Sequence, residues 1–190
     1  LDLGPIRLKI ARHFGFCFGV ENAIEIAYRT LASNPEKRIF LLSEMIHNPH
    51  VNDDLLARGV RFIMTPGGEQ LVPWSDLTPD DVVIVPAFGT TIEIAERLAE
   101  RNIDPYTWDT TCPFVEKVWN RSDDLGQRGF TVVVHGKPTH EETRATFSHA
   151  RASAPTVVVR NMDETERLAG IIEGLTPVEE FAATFASQSS

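Results

Sequence analysis

Val82-Val83-Ile84-Val85 is an unbroken β-branched run, and no other feature of the chain narrows its fold so far. A strand like this has no polar face to give to water. It must lie in a sheet covered on both sides, the habit of parallel sheets flanked by helices. Further strands are expected at Ile6–Ala11, Ile39–Leu42, Val60–Ile63, Pro105–Trp108, Val132–Val134 and Thr156–Val159, of which Ile39–Leu42 and Val132–Val134 read as buried. Helical spacing lies between them. Val20, Ala23, Ile24, Ala27, Tyr28 and Leu31 share one face, and Ile92, Ala95, Leu98 and Ala99 another. Asn48-Pro49 opens a helix that Gly59 closes, and Cys112-Pro113 opens the helix Phe114–Leu125. Glu141–His149 and Asp163–Glu173 complete the alternation, while residues 64–81 form a surface excursion. Thr176-Pro177-Val178-Glu179 has capping-box spacing and predicts a last helix from about Val178. The βαβα order implies an α/β fold of three-layer α/β/α units with mainly parallel sheets.

One unit recurs: a strand, a cysteine loop, then an amphipathic helix, at Cys17 and again at Cys112. The repeat predicts two domains, residues 1–107 and 108–190. A net charge of −9 argues against nucleic acid as a partner, because binding phosphate backbones needs surplus Lys and Arg. No stretch nears the roughly 18 apolar residues of a membrane span, and the start lacks the pattern of a secretory signal. Two cysteines far apart do not make a secreted-type disulfide framework, so a reduced, cytoplasmic setting is expected.

Ligands of parallel α/β folds bind beyond the C-terminal ends of strands, where both cysteines fall. A helix N-terminus there favours thiolate, which makes each thiol a candidate ligand or nucleophile. The bland alternative, a small buried hydrophobe beside a tight turn, stays open, although the glycines flanking Cys17 weaken it. His47, His135 and His140 also follow strands, and with Lys137 they suit a phosphate or diphosphate. His13, His50 and His149 read as structural or surface residues. Glu142 caps a helix or donates a proton, and spacing alone does not choose. There is no G-x-G-x-x-G after a strand, no P-loop and no C-x-x-C pair, so nucleotide and tetrahedral zinc sites have no motif support.

Four stretches carry a resemblance: His13–Val20, Ile46-His47-Asn48-Pro49, Asp109–Val115 and His135–Thr143. In order and spacing they resemble the 4-hydroxy-3-methylbut-2-enyl diphosphate reductase family, in its cyanobacterial and plastid form, and the similarity is expected to span the N-terminal two-thirds of such a protein. The resemblance implies three pseudo-symmetric α/β domains around a [4Fe-4S] cluster, with one cysteine from each. Cys17 and Cys112 match the first two metal ligands, and His47 and His140 match residues that hold the diphosphate. Glu142 matches the acid that relays a proton to the departing oxygen. The implied reaction is reductive dehydration to isopentenyl and dimethylallyl diphosphate, with ferredoxin or flavodoxin as electron donor, in the cytoplasm or, for a plant, the plastid stroma. The better-known bacterial form has histidine where this chain has Phe88, so Phe88 inherits no role. The third cysteine is expected beyond Ser190, which makes the chain alone truncated and inactive on this reading. Two alternatives stand beside it: a non-catalytic apo binding or regulatory module on the same scaffold, and a thiol enzyme pairing Cys17 or Cys112 with His140.

Overall fold

The computed structural model describes residues 4–12 and 14–190; His13, read as a structural or surface residue, lies outside the described residues. The chain is an α/β fold with two parallel sheets. In the first, β1 (Ile39–Leu41) sits between β2 (Arg61–Phe62) and β3 (Val82–Ile84), all parallel. Alternation along these strands sends side chains to opposite faces. Ile39, Leu41, Val82 and Ile84 pack with Ala23 and Ala27 of α1 (Phe18–Ser33) and Leu55 of α2 (Pro49–Ala57). Phe40, Val83 and Val85 pack on the other face with Leu98 of α3 (Ile92–Ala99) and with Ile63, Leu77 and Ile103. The buried β-branched run thus has both faces covered, as its sequence requires.

The second sheet pairs β4 (Val132–His135) with β5 (Thr156–Val159). Val132 packs with Ala150 of α5 (Glu141–Arg151), with Ala154, and with the half-buried Leu125 of α4 (Pro113–Gln127). Val157 and Val159 instead meet Leu168 of α6 (Met162–Ile172) and Phe185 of α7 (Glu179–Phe185). The chain end returns along β5, with Val158 N–H donating to Gln188 and Ser190 N–H to Thr156.

Three expectations need correction. Ile6–Ala11 forms no strand among the described elements: Arg7 takes part in a single bridge, and Ile6 and Ile10 are 57% and 65% exposed. Pro105–Trp108 is a turn rather than a strand. Only its end pairs, through a parallel bridge between Val85 and Asp109. β4 exists but is not buried throughout: Val133 is 48% exposed, since β4 has one partner strand and helices on one face only.

Candidate functional site

The first sheet delivers a histidine by a local route. Asn48 caps α2, accepting from the N–H groups of His50 and Val51, with Pro49 at the first helical position. The buried Asn52 then clamps the preceding turn, accepting from Met45 N–H at 3.1 Å and donating to Ile46 O at 2.9 Å. His47 is left projecting between cap and clamp. Asn52 escapes the sequence reading because its role needs a neighbour six residues back.

The second half delivers the other histidine. His140 caps α5 with its own ring, Nδ1 accepting the Glu142 N–H at 3.3 Å. The two imidazoles meet at Nε2···Nε2 3.0 Å. Phe88 stacks on His47 with ring centroids 4.4 Å apart and stands edge-on to His140 at 6.1 Å. It gains this place from the turn at Gly89, whose φ is +75° and whose α-carbon lies so close to Trp119 that a Cβ would sit 2.3 Å from the indole. Trp119 is fixed in turn by His149, stacked at 3.7 Å, whose Nε2–H donates to Thr90 O at 3.1 Å. Burial lowers the His149 pKa and favours its neutral ring.

Both cysteines occupy helix N-termini. Cys17 caps α1 and Cys112 caps α4, neither with a side-chain cap bond, so each thiol lies beside unpaired N–H groups. Cys17 is exposed and Cys112 half-buried. Gly19, in the first turn of α1, is what admits Cys112: a Cβ there would lie 2.4 Å from its sulfur. The second thiol therefore rests against the helix that the first one caps. A cleft of about 390 Å³ lies here, lined by Phe16, His47, Phe88, Cys112 and Glu142 among others, with Cys17 and His140 outside its lining. Glu142 is exposed at its edge. His135, exposed at the end of β4, is not among the lining residues, nor is Lys137.

Sequence reasoning missed the carboxylate behind the histidines. Glu141 is buried, its Oε2 accepting the Ser43 hydroxyl, while Oε1 has no hydrogen-bond partner and lies 3.9 Å from His47 Nε2. Burial raises its pKa, further helped by Glu44, against the opposing pull of the Ser43 hydrogen bond, His47 and Arg144. Among the described residues, no group of three or more His, Cys, Asp and Glu side chains is placed to hold a metal ion.

The LytB protein family model matches residues 8–189. The 4-hydroxy-3-methylbut-2-enyl diphosphate reductase of Synechococcus sp. (strain WH7803) is 40% identical over all of this chain and 46% of its own length. That of Prochlorococcus marinus (strain MIT 9211) is 42% identical over 98% of this chain and 45% of its own. The chain spans about half the length of the curated relatives it matches, less than the expected two-thirds. A solved (E)-4-hydroxy-3-methyl-but-2-enyl diphosphate reductase, the terminal enzyme of the non-mevalonate pathway, has a TM-score of 0.66 at 29% identity, covering 83% of this chain and 52% of that one. The E-1-hydroxy-2-methyl-but-2-enyl-4-diphosphate reductase of Plasmodium falciparum has a TM-score of 0.68 at 24% identity, over 80% and 44% of the two chains, a likeness of fold.

Proposed function

The chain belongs to the LytB protein family, and from that premise we propose that it is part of a reductase acting on 4-hydroxy-3-methylbut-2-enyl diphosphate. The products are isopentenyl and dimethylallyl diphosphate. What carries the reading is His47, which lines one cleft with Cys112 and Glu142 and meets His140 through Nε2. Cys17 and Cys112 would hold two corners of a [4Fe-4S] cluster. Their fit rests on the missing Cβ of Gly19 and on two helix N-termini whose unpaired N–H groups lie beside the sulfurs. When bound, the cluster supplies electrons and an iron that acts as Lewis acid toward the substrate hydroxyl.

His47 and His140 hold the diphosphate through Nε2, which fixes the distance between its anchored end and the thiols. Phe88, stacked on His47, restricts the turning of that ring. The Glu142 carboxyl, exposed in the cleft, carries the proton for the departing oxygen. The remaining ligand and the electron donor, a ferredoxin or flavodoxin, come from outside these residues. The units 1–107 and 108–190, each with one thiol, belong to the same proposal, as does a further domain bringing the third cysteine. A cytoplasmic or stromal setting goes with it. Among the described residues, no helix is long and apolar enough to cross a membrane.

Anaerobic reconstitution of the complete protein tests this. Glu142→Gln is expected to cut turnover about 10²–10⁴-fold with iron and sulfide unchanged, because proton delivery is lost and ligation is not. Cys17→Ser or Cys112→Ser lowers the iron and sulfide themselves. Wild-type turnover in Glu142→Gln removes that residue from the chemistry. Full metal content in both serine variants removes the two cysteines as ligands, and a wild type that takes up no iron or sulfide leaves a non-catalytic diphosphate-binding module instead.

A further inference from the structure

The imidazoles of His47 and His140 meet through the same nitrogen, and one hydrogen bond between two Nε2 atoms holds one proton. His140 decides which ring carries it. Its Nδ1 accepts the Glu142 N–H, so in the neutral ring the hydrogen is on Nε2. His140 therefore donates, and His47 accepts with a bare Nε2. The proton of His47 then sits on Nδ1, 3.6 Å from the Glu44 carboxylate. Beside that bare Nε2, the buried and unpartnered Glu141 Oε1 stands at 3.9 Å.

An anion between these rings accepts hydrogen bonds, and a bare Nε2 has none to give. We propose that an anionic group binds this cleft together with one added proton on His47, and that Glu141, anchored by Ser43, is a positioning residue whose carboxylate faces the new charge. The inference rests on the diphosphate reading of the cleft and adds its proton count. In the free chain the His–His bond satisfies both rings. On binding, that bond opens, both Nε2–H groups turn to the anion, and His47 becomes an imidazolium. Every neighbour of His47 bears on this balance. Glu44 faces it from its own loop; Glu141, His140 and Glu142 face it from the start of α5. Phe88 and Phe16 bring no charge, and Arg144 acts on Glu141 from the next turn. Burial, which raises Glu141, eases once a cation stands beside it.

Nitrogen-15 NMR of the histidines in the wild-type chain reads the first half directly. At pH 8 without ligand, His140 is expected as the Nε2–H tautomer and His47 as the Nδ1–H tautomer. With saturating inorganic pyrophosphate, both nitrogens of His47 become protonated. Sulfate, whose charge is constant over this range, reads the linkage: its affinity falls up to tenfold per pH unit as pH rises from 6 to 9. Glu141→Gln weakens sulfate binding about tenfold at pH 7 and moves its loss to lower pH, and Glu141→Asp, keeping the charge, restores part of it. A neutral His47 under bound pyrophosphate overturns the proposal and leaves the diphosphate reading standing. So does a Glu141→Gln chain that binds sulfate as wild type does. Failure of pyrophosphate to bind at any pH overturns both.

Discussion

β3 and β4 are both short valine-rich strands in parallel pairs, yet β3 is buried at every residue and β4 is not. Their sequences barely differ. β3 has β1 on one side and the Asp109 bridge just past its other end, with helices on both faces. β4 has β5 alone, and its covered face holds Val132 and Val134 while Val133 looks outward. A β-branched run states a capacity for burial; neighbours decide whether it is used. The candidate site histidines follow the same division. His47 stands on the fully covered sheet, clamped by Asn52, while His140 depends on a single helix cap.

The largest effect that sharpens this contrast is in the first core. Ile84→Ala is expected to cost about 3 kcal/mol in urea unfolding, since its cavity opens between helix and sheet with no room to relax. A cost below about 1 kcal/mol would deny that the two halves differ. Next comes Glu141→Gln, where function and stability oppose each other. The folded carboxyl is raised by burial, so its penalty is absent below the unfolded value of about 4.3 and grows as pH climbs toward the folded one. The variant should gain roughly 1 kcal/mol, or about 2–4 °C in Tm, at pH 8 and nothing at pH 4. Lower stability at both pH values would show that Glu141 is a structural support.

Glu93 has the opposite sign and joins the halves. Burial pushes its carboxyl up, but hydrogen bonds from Arg151, its own N–H, Ser148 and Thr91 outweigh this and hold it at about 2. Its contribution is present above the unfolded value of about 4.3 and is lost as pH falls toward 2. Because the ion pair is exposed and screened, Glu93→Gln should lose only about 0.5 kcal/mol at pH 7, and the gap to wild type should close in acid. A gap constant down to pH 2.5 would count against the pairing. Smallest is Val133→Thr, expected within about 0.5 kcal/mol of wild type because the side chain already meets water.

Much of the fold is legible in the sequence where a segment carries its own reason. The Asn48-Pro49 start of α2, the Cys112-Pro113 start of α4 and the buried Val82–Val85 run all appear where local chemistry puts them. Ile6–Ala11 does not form a strand, because alternation needs a covered face, and here only Arg7 is bridged while Ile6 and Ile10 stay exposed. In the site, Cys17, Cys112, His47, His140 and Glu142 can be read from motifs and family resemblance. Glu141 cannot. It and Glu142 are adjacent carboxylates in one first turn, and the roughly 100° step of a helix sends one into the interior beside Ser43 and leaves the other in the cleft. Nothing in the order of two glutamates tells which is which; Ser43, from a distant strand end, decides.

Cys112 rests against the first turn of the helix that Cys17 caps, and a short bis-maleimide applied to the reduced 190-residue chain tests how near the two thiols lie. The expected product is an intramolecular Cys17–Cys112 bridge formed in high yield in the folded chain and lost in denaturant. Two singly capped thiols and no bridge in the folded chain would contradict it.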